Sequence, residues 1–462
     1  MNDYSIVKHY LRRAVGRSLS GAQAGAAGTG RADAGVGDER VPGSLPRLLN
    51  SVALILGRVS TLALGFLSWL LAARLFAPAQ VGLASGAVSA MMLCVQLALL
   101  GVGSAVIALF PQHQHRPSDL LNTAMSIVTG TAIIAAGLFL VLASGAFHEL
   151  SVVGSIPLYT LLFLALSVFG TVGVLFDHIS IALRRSDQVL VRNVLFGVVT
   201  IAFLGILPLV AGAASSLAIF AAWVMGGLSA YLLGFIQLRR SLSQYRLRPH
   251  VEPRLAGQLL RIGFANYALT LAERAPGSIL PIVVIELLSP VANAYWYPVW
   301  MMGWGALVIP ISVGQTLFAE AAHRPESLGD EIRHSIRSSL ALGFVAAAGA
   351  ALLAPLLLSF LGPNYADAGT TPLRILVVGA LPFTFIQAYF ATCRATQRLR
   401  EAILTGMLSG LAGIAGAAVA GITYGLPGMA LAWLVVQFLT GAWAIWRLRS
   451  LSRRERIRSL SD

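Results

Sequence analysis

"IALRRSDQVLVRNVLFG", residues 181–197, has a counterpart 213 positions further on, "RATQRLREAILTGMLSG", residues 394–410. The copies share the pairs Ala182/Ala395, Arg185/Arg398, Leu195/Leu408 and Gly197/Gly410, and near the same offset Pro78 lies over Pro290. Ala, Leu and Gly coincide easily in apolar sequence, so the match gains its weight from the arrangement of the whole chain around it.

Composition sets the solvent. Of the 462 residues 57% are hydrophobic and 11% charged, with a mean hydropathy of +0.77, which excludes a water-soluble globule. A helix needs about 20 apolar residues to cross the hydrocarbon core. Twelve stretches qualify: 51–73, 81–109, 120–144, 153–177, 189–211, 216–238, 258–285, 291–319, 337–360, 373–395, 401–421 and 427–446. The expected fold is an all-α polytopic membrane protein. Its parts are a tail over 1–47, a six-helix lobe over 48–238, a linker over 239–257, a second lobe over 258–446 and a basic tail over 447–462.

The net charge of +14 arises from 32 Arg and one Lys against 19 acids. Its distribution points away from nucleic acid. Of the 33 basic residues, 29 fall on one side, in the two tails, every second loop and the span ends adjoining those loops, including Arg116, Arg184, Arg185, Arg192 and Arg394. Only Arg74 and Arg374 occupy the intervening loops, while Arg58 and Arg274 lie inside spans. The positive-inside rule then places both termini in the cytoplasm and makes the span count even. Six spans per half make the repeats parallel, about an axis along the membrane normal, with a central cavity between two bundles.

Cys94 and Cys393 both fall inside spans, and neither a disulfide framework nor a metal site is implied. In the tail, Val7, Tyr10, Leu11, Ala14 and Leu19 alternate with Lys8, Arg12, Arg13 and Arg17. That pattern suits either a helix lying on an anionic leaflet or a frayed tail. Residues 20–46 are Gly/Ala-rich and read as a disordered linker.

The seventh span carries a full charge pair in "TLAERAPGSILPIVVI", residues 270–285. On a helix Asn266, Thr270, Glu273, Arg274 and Gly277 share a stripe about 100° wide. Lipid cannot solvate such a stripe, so it faces the bundle interior or a wet cavity. Glu273 lies twelve residues beyond Arg261, about 18 Å along the axis. Pro276 and Gly277 follow, and a proline there is expected to kink the helix and free the carbonyl of Ala272. The pattern reads either as a ligand site with a hinge or as a structural kink whose charges pair with neighbouring helices.

In the first span Arg58, Thr61, Gly65 and Ser68 form a similar stripe, with Arg58 about 12 Å deep. It either faces the cavity or snorkels to the surface. Each central charge costs about 2.5–3.5 kcal/mol, and two cations against one acid favour an anionic ligand. Trp296, Trp300 and Trp304 recur every fourth residue of the eighth span. Trp296 is expected in an interfacial belt. Trp304, about 21 Å in, either packs in the core or stacks on a sugar face.

Three stretches resemble bacterial polysaccharide (Wzx-type) flippases: "NSVALILGRVSTLALGFLSWLLAARLF" (50–76), "AERAPGSILPIVVIELLSPVANAYWYPVWMM" (272–302) and "FLGPNYADAGTTPLRIL" (360–376). The resemblance covers roughly 50–446 and extends to the superfamily of lipid II flippases and MATE drug exporters. It implies two six-helix lobes, and an undecaprenyl-diphosphate-linked oligosaccharide carried from the inner to the outer leaflet. It also implies an acidic-Arg pair in the seventh span, where Glu273 and Arg274 stand, and cationic residues at the diphosphate, which Arg58 and Arg274 would supply. Membrane lipids and polysaccharide-assembly proteins are the expected partners, with no cofactor, no nucleic acid and a monomeric state.

Three other readings compete. A MATE-type drug or cation antiporter would need a carboxylate in the first lobe, where Asp177 is the candidate within the spans. A membrane glycosyltransferase would need paired acids or a metal motif on a sizeable outer loop, yet the outer loops offer Glu149, Glu286 and Asp367. A non-transporting scaffold for polysaccharide assembly is the third.

Overall fold

Prolines open half of the long helices, because the missing N–H of a residue at the first helical position is one that no helix start could pair. In the computed structural model, Pro78, Pro117, Pro157, Pro253, Pro290 and Pro363 each begin one. The structure describes residues 44–211, 215–243, 245–323 and 328–461, with the side chains of 44–59, 210–211, 265–266, 319–323, 328–329 and 451–461 outside that description. The tail pattern over 7–19 and most of the linker expected over 20–46 therefore lie outside the described residues, while 44–46, expected as linker, open α1; the C-terminal tail's side chains from 451 onward also lie outside.

The helices follow the apolar runs. They are α1 (Ser44–Leu75), α2 (Pro78–Leu99), α3 (Val102–Leu109), α4 (Pro117–Ala146), the short α5 (Ser151–Ser155), α6 (Pro157–Ala182), α7 (Ser186–Ala211) and α8 (Ser216–Ser241). The second half continues with α9 (Pro253–Leu287), α10 (Pro290–His323), α11 (Leu328–Ser359), α12 (Pro363–Val378), α13 (Ala380–Ala395) and α14 (Leu399–Ser461). No strand occurs among the described residues. Three details differ from the twelve expected spans. The tenth, 373–395, belongs to a stretch that begins at Pro363 and is divided into α12 and α13 at Gly379. The second is broken at Leu100 and Gly101, both left-handed (φ 46° and 76°), and the last two run together as α14 across Gly425, whose φ of 63° and ψ of −154° break the helix.

The internal repeat survives as hydrogen bonds. After α6, Arg184 takes a left-handed φ of 57°, and after α13, Gln397, 213 positions later, takes 60°. In the first turn Arg185 N donates to Ser180 O at 2.8 Å and Gln188 N to Arg185 O at 3.0 Å. In the second, Arg398 N donates to Cys393 O at 2.7 Å and Glu401 N to Arg398 O at 3.1 Å. A non-glycine residue in this conformation is uncommon, so two at equivalent places mark one supersecondary unit used twice.

Each half has its own apolar core, one built around Phe163, Phe220 and Trp69, the other around Trp296, Trp300 and Tyr389. Helix α9 belongs to both halves. At one end Leu255 and Leu259 enter a first-half cluster, and Gly263 meets Gly101 so closely that a Cβ on either would overlap the other's backbone. Midway, Gln96 Nε2 donates to Ser278 Oγ at 2.9 Å and the Tyr267 hydroxyl donates to the Gln96 carbonyl. At the far end Ile282 and Ile285 join the first-half core.

Beyond them the Glu286 carboxylate accepts from the backbone N–H groups of His148 (2.7 Å), Glu149 (3.2 Å) and Leu150 (2.8 Å). Asn293 of α10 donates to the Gly82 carbonyl at 2.8 Å. Arg74 Nε donates to the Phe360 carbonyl at 2.8 Å. Apart from α9, whose basic end also packs on the first half, the two halves are thus fastened together at the end away from the basic loops. Of the two exceptions to the charge pattern, Arg74 binds carbonyls there, whereas Arg374, expected in a loop, lies exposed within α12, eleven residues past Pro363, and its Nε donates to the Ala351 carbonyl of α11 at 3.1 Å.

Candidate functional site

Glu273 sits midway along α9, which stays helical from Pro253 to Leu287 with Pro276 and Pro281 inside it. The helix runs on through Pro276 without interruption. The freed Ala272 carbonyl and the Pro276 ring face Gly410 of α14, where a Cβ would lie 3.5 and 3.3 Å from them. A Cβ on Gly277 would lie 3.1 Å from Trp300 Nε1. These two glycines let α10 and α14 close on the proline-bearing segment.

Around Glu273 a cavity of about 280 Å³ is lined by Thr270, Glu273, Arg274, Trp304, Gln315, Gln387 and Arg394, with Ile311 and Phe318 toward the basic end. All belong to α9, α10 and α13 of the second half. A second cavity of about 40 Å³ lies behind Glu273, beside Pro276, Gly277, Trp300, Ser409 and Gln437. Glu273 and Trp304 border both.

The charges pair across helices rather than along the chain. One oxygen of Glu273 accepts from Gln387 Nε2 at 3.2 Å, and the other takes Arg394 Nη2 at 3.2 Å. Gln387 and Arg394 are seven residues apart, two turns of α13, so both face the same carboxylate. Both members of the ion pair are largely buried, with side-chain exposures of 14% for Glu273 and 16% for Arg394. Losing one member of such a pair costs about 3–5 kcal/mol because the other is stranded. Arg274, about 100° away around α9, is exposed on the cavity wall. It has no hydrogen-bond or ion-pair partner among the described residues. One acid and two cations leave the described wall with an excess positive charge.

Arg58 lies on α1 and Asn266 on α9, with both side chains outside the description. Thr61 is exposed on α1 and does not line this cavity. Thr270, Glu273, Arg274 and Trp304 are brought together, with Pro276 and Gly277 behind them. The belt reading of Trp296 is corrected: the ring has 0% of its surface accessible. It stacks on Trp300 at 6.0 Å, and Trp300 on Trp304 at 6.3 Å. The ring belongs to the apolar core of the second half, with Trp300 and Leu376 among its members, so a residue near a helix start is enclosed by protein.

Two arginines assigned to loops are buried in helices. Arg394 occupies the last turn of α13, and because helical side chains lean toward the N-terminus, its guanidinium reaches back into the bundle. Arg192 of α7, 3% exposed, pairs with Asp177 at 2.7 Å and also donates to Ser180 and Gln237. Gln315 and Gln387 were likewise not singled out by the sequence. The i, i+7 spacing of Gln387 and Arg394 was the available signal. Among the described residues no cluster of His, Cys, Asp or Glu is placed to hold a metal ion.

No family model matches the sequence, and no curated protein matches it. Solved structures do match in fold. The lipid II flippase MurJ in an inward closed conformation superposes with a TM-score of 0.70 at 13% identity, covering 87% of this chain and 87% of that one. An inward-facing MATE multidrug resistance transporter of the MOP superfamily gives 0.65 at 14% identity, covering 87% and 99%. A MOP superfamily transporter from Pyrococcus furiosus, described by the reverse polarity of its binding pocket, gives 0.56 at 13% identity, covering 90% and 96%. The chain has the fold of the MOP-superfamily transporters, a multi-pass bundle of the MATE and lipid-flippase type.

Proposed function

We propose that the chain is a flippase that moves an undecaprenyl-diphosphate-linked oligosaccharide from the inner to the outer leaflet of a bacterial cytoplasmic membrane. The observation that carries this reading is Arg274, a guanidinium without a partner among the described residues, on the wall of a cavity whose other cation is Arg394. A diphosphate offers enough anionic oxygens for both, and guanidinium forks suit phosphate geometry. The lipid tail stays in the bilayer, and Trp304 offers a face to the first sugars. A membrane potential negative inside favours outward movement of two negative charges by about 2.3 kcal/mol per charge per 100 mV.

A MATE-type cation exporter fits these charges less well. The only acid on the described cavity wall is held by Arg394 and Gln387, and the first-half candidate Asp177 is held by Arg192. Orientation with both termini in the cytoplasm agrees with the basic loops and belongs to the same proposal, as do the two-lobe division at 239–257 and docking by polysaccharide-assembly proteins.

Binding of undecaprenyl diphosphate to the purified protein tests the reading, with a lipophilic cation as the rival ligand. The wild type is expected to bind the lipid diphosphate, and Arg274→Ala and Arg394→Ala each to weaken it at least tenfold. Glycan export in cells should fail with Arg274→Ala at normal protein levels. Tight binding of the cation with none of the lipid, or export undiminished without Arg274, would overturn the assignment.

A further inference from the structure

We propose that Glu273 is an internal substitute for the ligand: its carboxylate holds Arg394, and an entering diphosphate takes that arginine over. The inference rests on the reading of the cavity as an anion site and states how that site is kept from binding too tightly.

The geometry is that of a ligand clamp already filled. Each carboxylate oxygen of Glu273 has one partner, Gln387 Nε2 and Arg394 Nη2, both at 3.2 Å. Those partners lie on α13 while Glu273 lies on α9, so the bonds cross the cavity's own seam rather than stabilise one helix. Arg274, next in sequence to Glu273, makes no such bond and stays open to the cavity. Among the described residues the cavity wall therefore presents one cation in an ion pair, Arg394, and one without such a partner, Arg274.

A diphosphate changes the competition. Arg274 is free to meet it first. Once there, its second phosphoryl group competes with a single carboxylate for Arg394, and the doubly charged species has the stronger claim by Coulomb's law. Glu273 is not then stranded without a partner. It keeps the amide of Gln387, and it also borders the 40 Å³ cavity, whose mostly apolar lining includes the side chains of Ser409 and Gln437 and which is large enough for a water. On the opposite side of the membrane the exchange runs backwards: the carboxylate recaptures Arg394 and loosens the product.

Two roles for Glu273 give opposite signs. If the carboxylate positions Arg394 for the ligand, removing its charge weakens binding. If it competes for Arg394, removing its charge tightens binding and slows release. Glu273→Gln keeps the shape and leaves an amide oxygen for Gln387 to donate to. Glu273→Asp keeps the charge but draws it back by one methylene, and serves if the glutamine variant is poorly folded.

The experiment is binding of undecaprenyl diphosphate to the full-length protein in lipid nanodiscs, followed by tryptophan fluorescence, beside transport turnover in vesicles. Glu273→Gln is expected to lower the Kd about tenfold, equivalent to about 1.4 kcal/mol, and to reduce turnover, with Glu273→Asp intermediate. Adding Arg394→Ala to Glu273→Gln should cancel the gain. Binding unchanged or weakened in Glu273→Gln and Glu273→Asp, while Arg274→Ala still abolishes it, overturns the exchange and leaves the anion site standing. Binding indifferent to Arg274→Ala and Arg394→Ala overturns both.

Discussion

Trp296 and Trp304 stand two turns apart on one helix and are expected to fail differently when truncated. Trp296 has no accessible surface and stacks on Trp300. In a bilayer, where packing rather than water exclusion holds helices together, Trp296→Ala leaves a large void. A loss of about 3–5 kcal/mol is expected, read as a lower unfolding temperature of the detergent-solubilised protein. Trp304 is half-buried on the cavity wall, so Trp304→Ala should cost less stability while reducing glycan export. Equal stability losses would place both rings in the core.

Single residues were legible where helical angle alone decided their direction. Thr270, Glu273 and Arg274 fall on one stripe and reach one cavity. Arg394 was not legible as a site residue, because its position beside a basic turn looks like a loop and only the backward lean of helical side chains brings it inside.

At the scale of elements, helix lengths follow from apolar runs because every backbone polar group in lipid must be paired within its own helix. The breaks were less legible. Leu100 and Arg184 adopt left-handed backbone without being glycine, and no composition rule marks them. Close approach of helices was also hidden, since a glycine in an apolar run looks like any other small residue. Gly82 of α2 shows the consequence: an added Cβ would overlap the Pro290 carbonyl at the start of α10. Backbone cannot rotate out of the way, so Gly82→Ala should push α2 and α10 apart and disturb the Asn293 bond to the Gly82 carbonyl. Hydrogen exchange is expected to speed up at the N-terminal turns of both helices, with α14 unaffected. Unchanged exchange in α2 and α10 would mean that the seam tolerates the extra atom.

For the whole molecule, the governing feature is which end is fastened. Glu286 takes three backbone N–H groups from the first half, at the end opposite the basic loops. Hydrogen bonds to a charged group contribute about 1.5–3 kcal/mol each, and a difference of about 1.4 kcal/mol is a tenfold change in a two-state population. Removing the carboxylate should therefore weaken the closed end by at least that factor, and a transporter that opens alternately would shift toward its other state. Gln315, on the cavity wall and exposed, provides a reporter. Cys94 and Cys393 are buried and stay silent. In a Gln315→Cys protein, labelling by a membrane-impermeant maleimide from the basic side is expected to slow about tenfold when Glu286→Ala is added. Arg74→Ala, which removes a different bond across the same end, should slow it in the same direction. The reverse result, faster labelling from the basic side, would mean that Glu286 holds the loop at 148–150 in place without holding the two halves together.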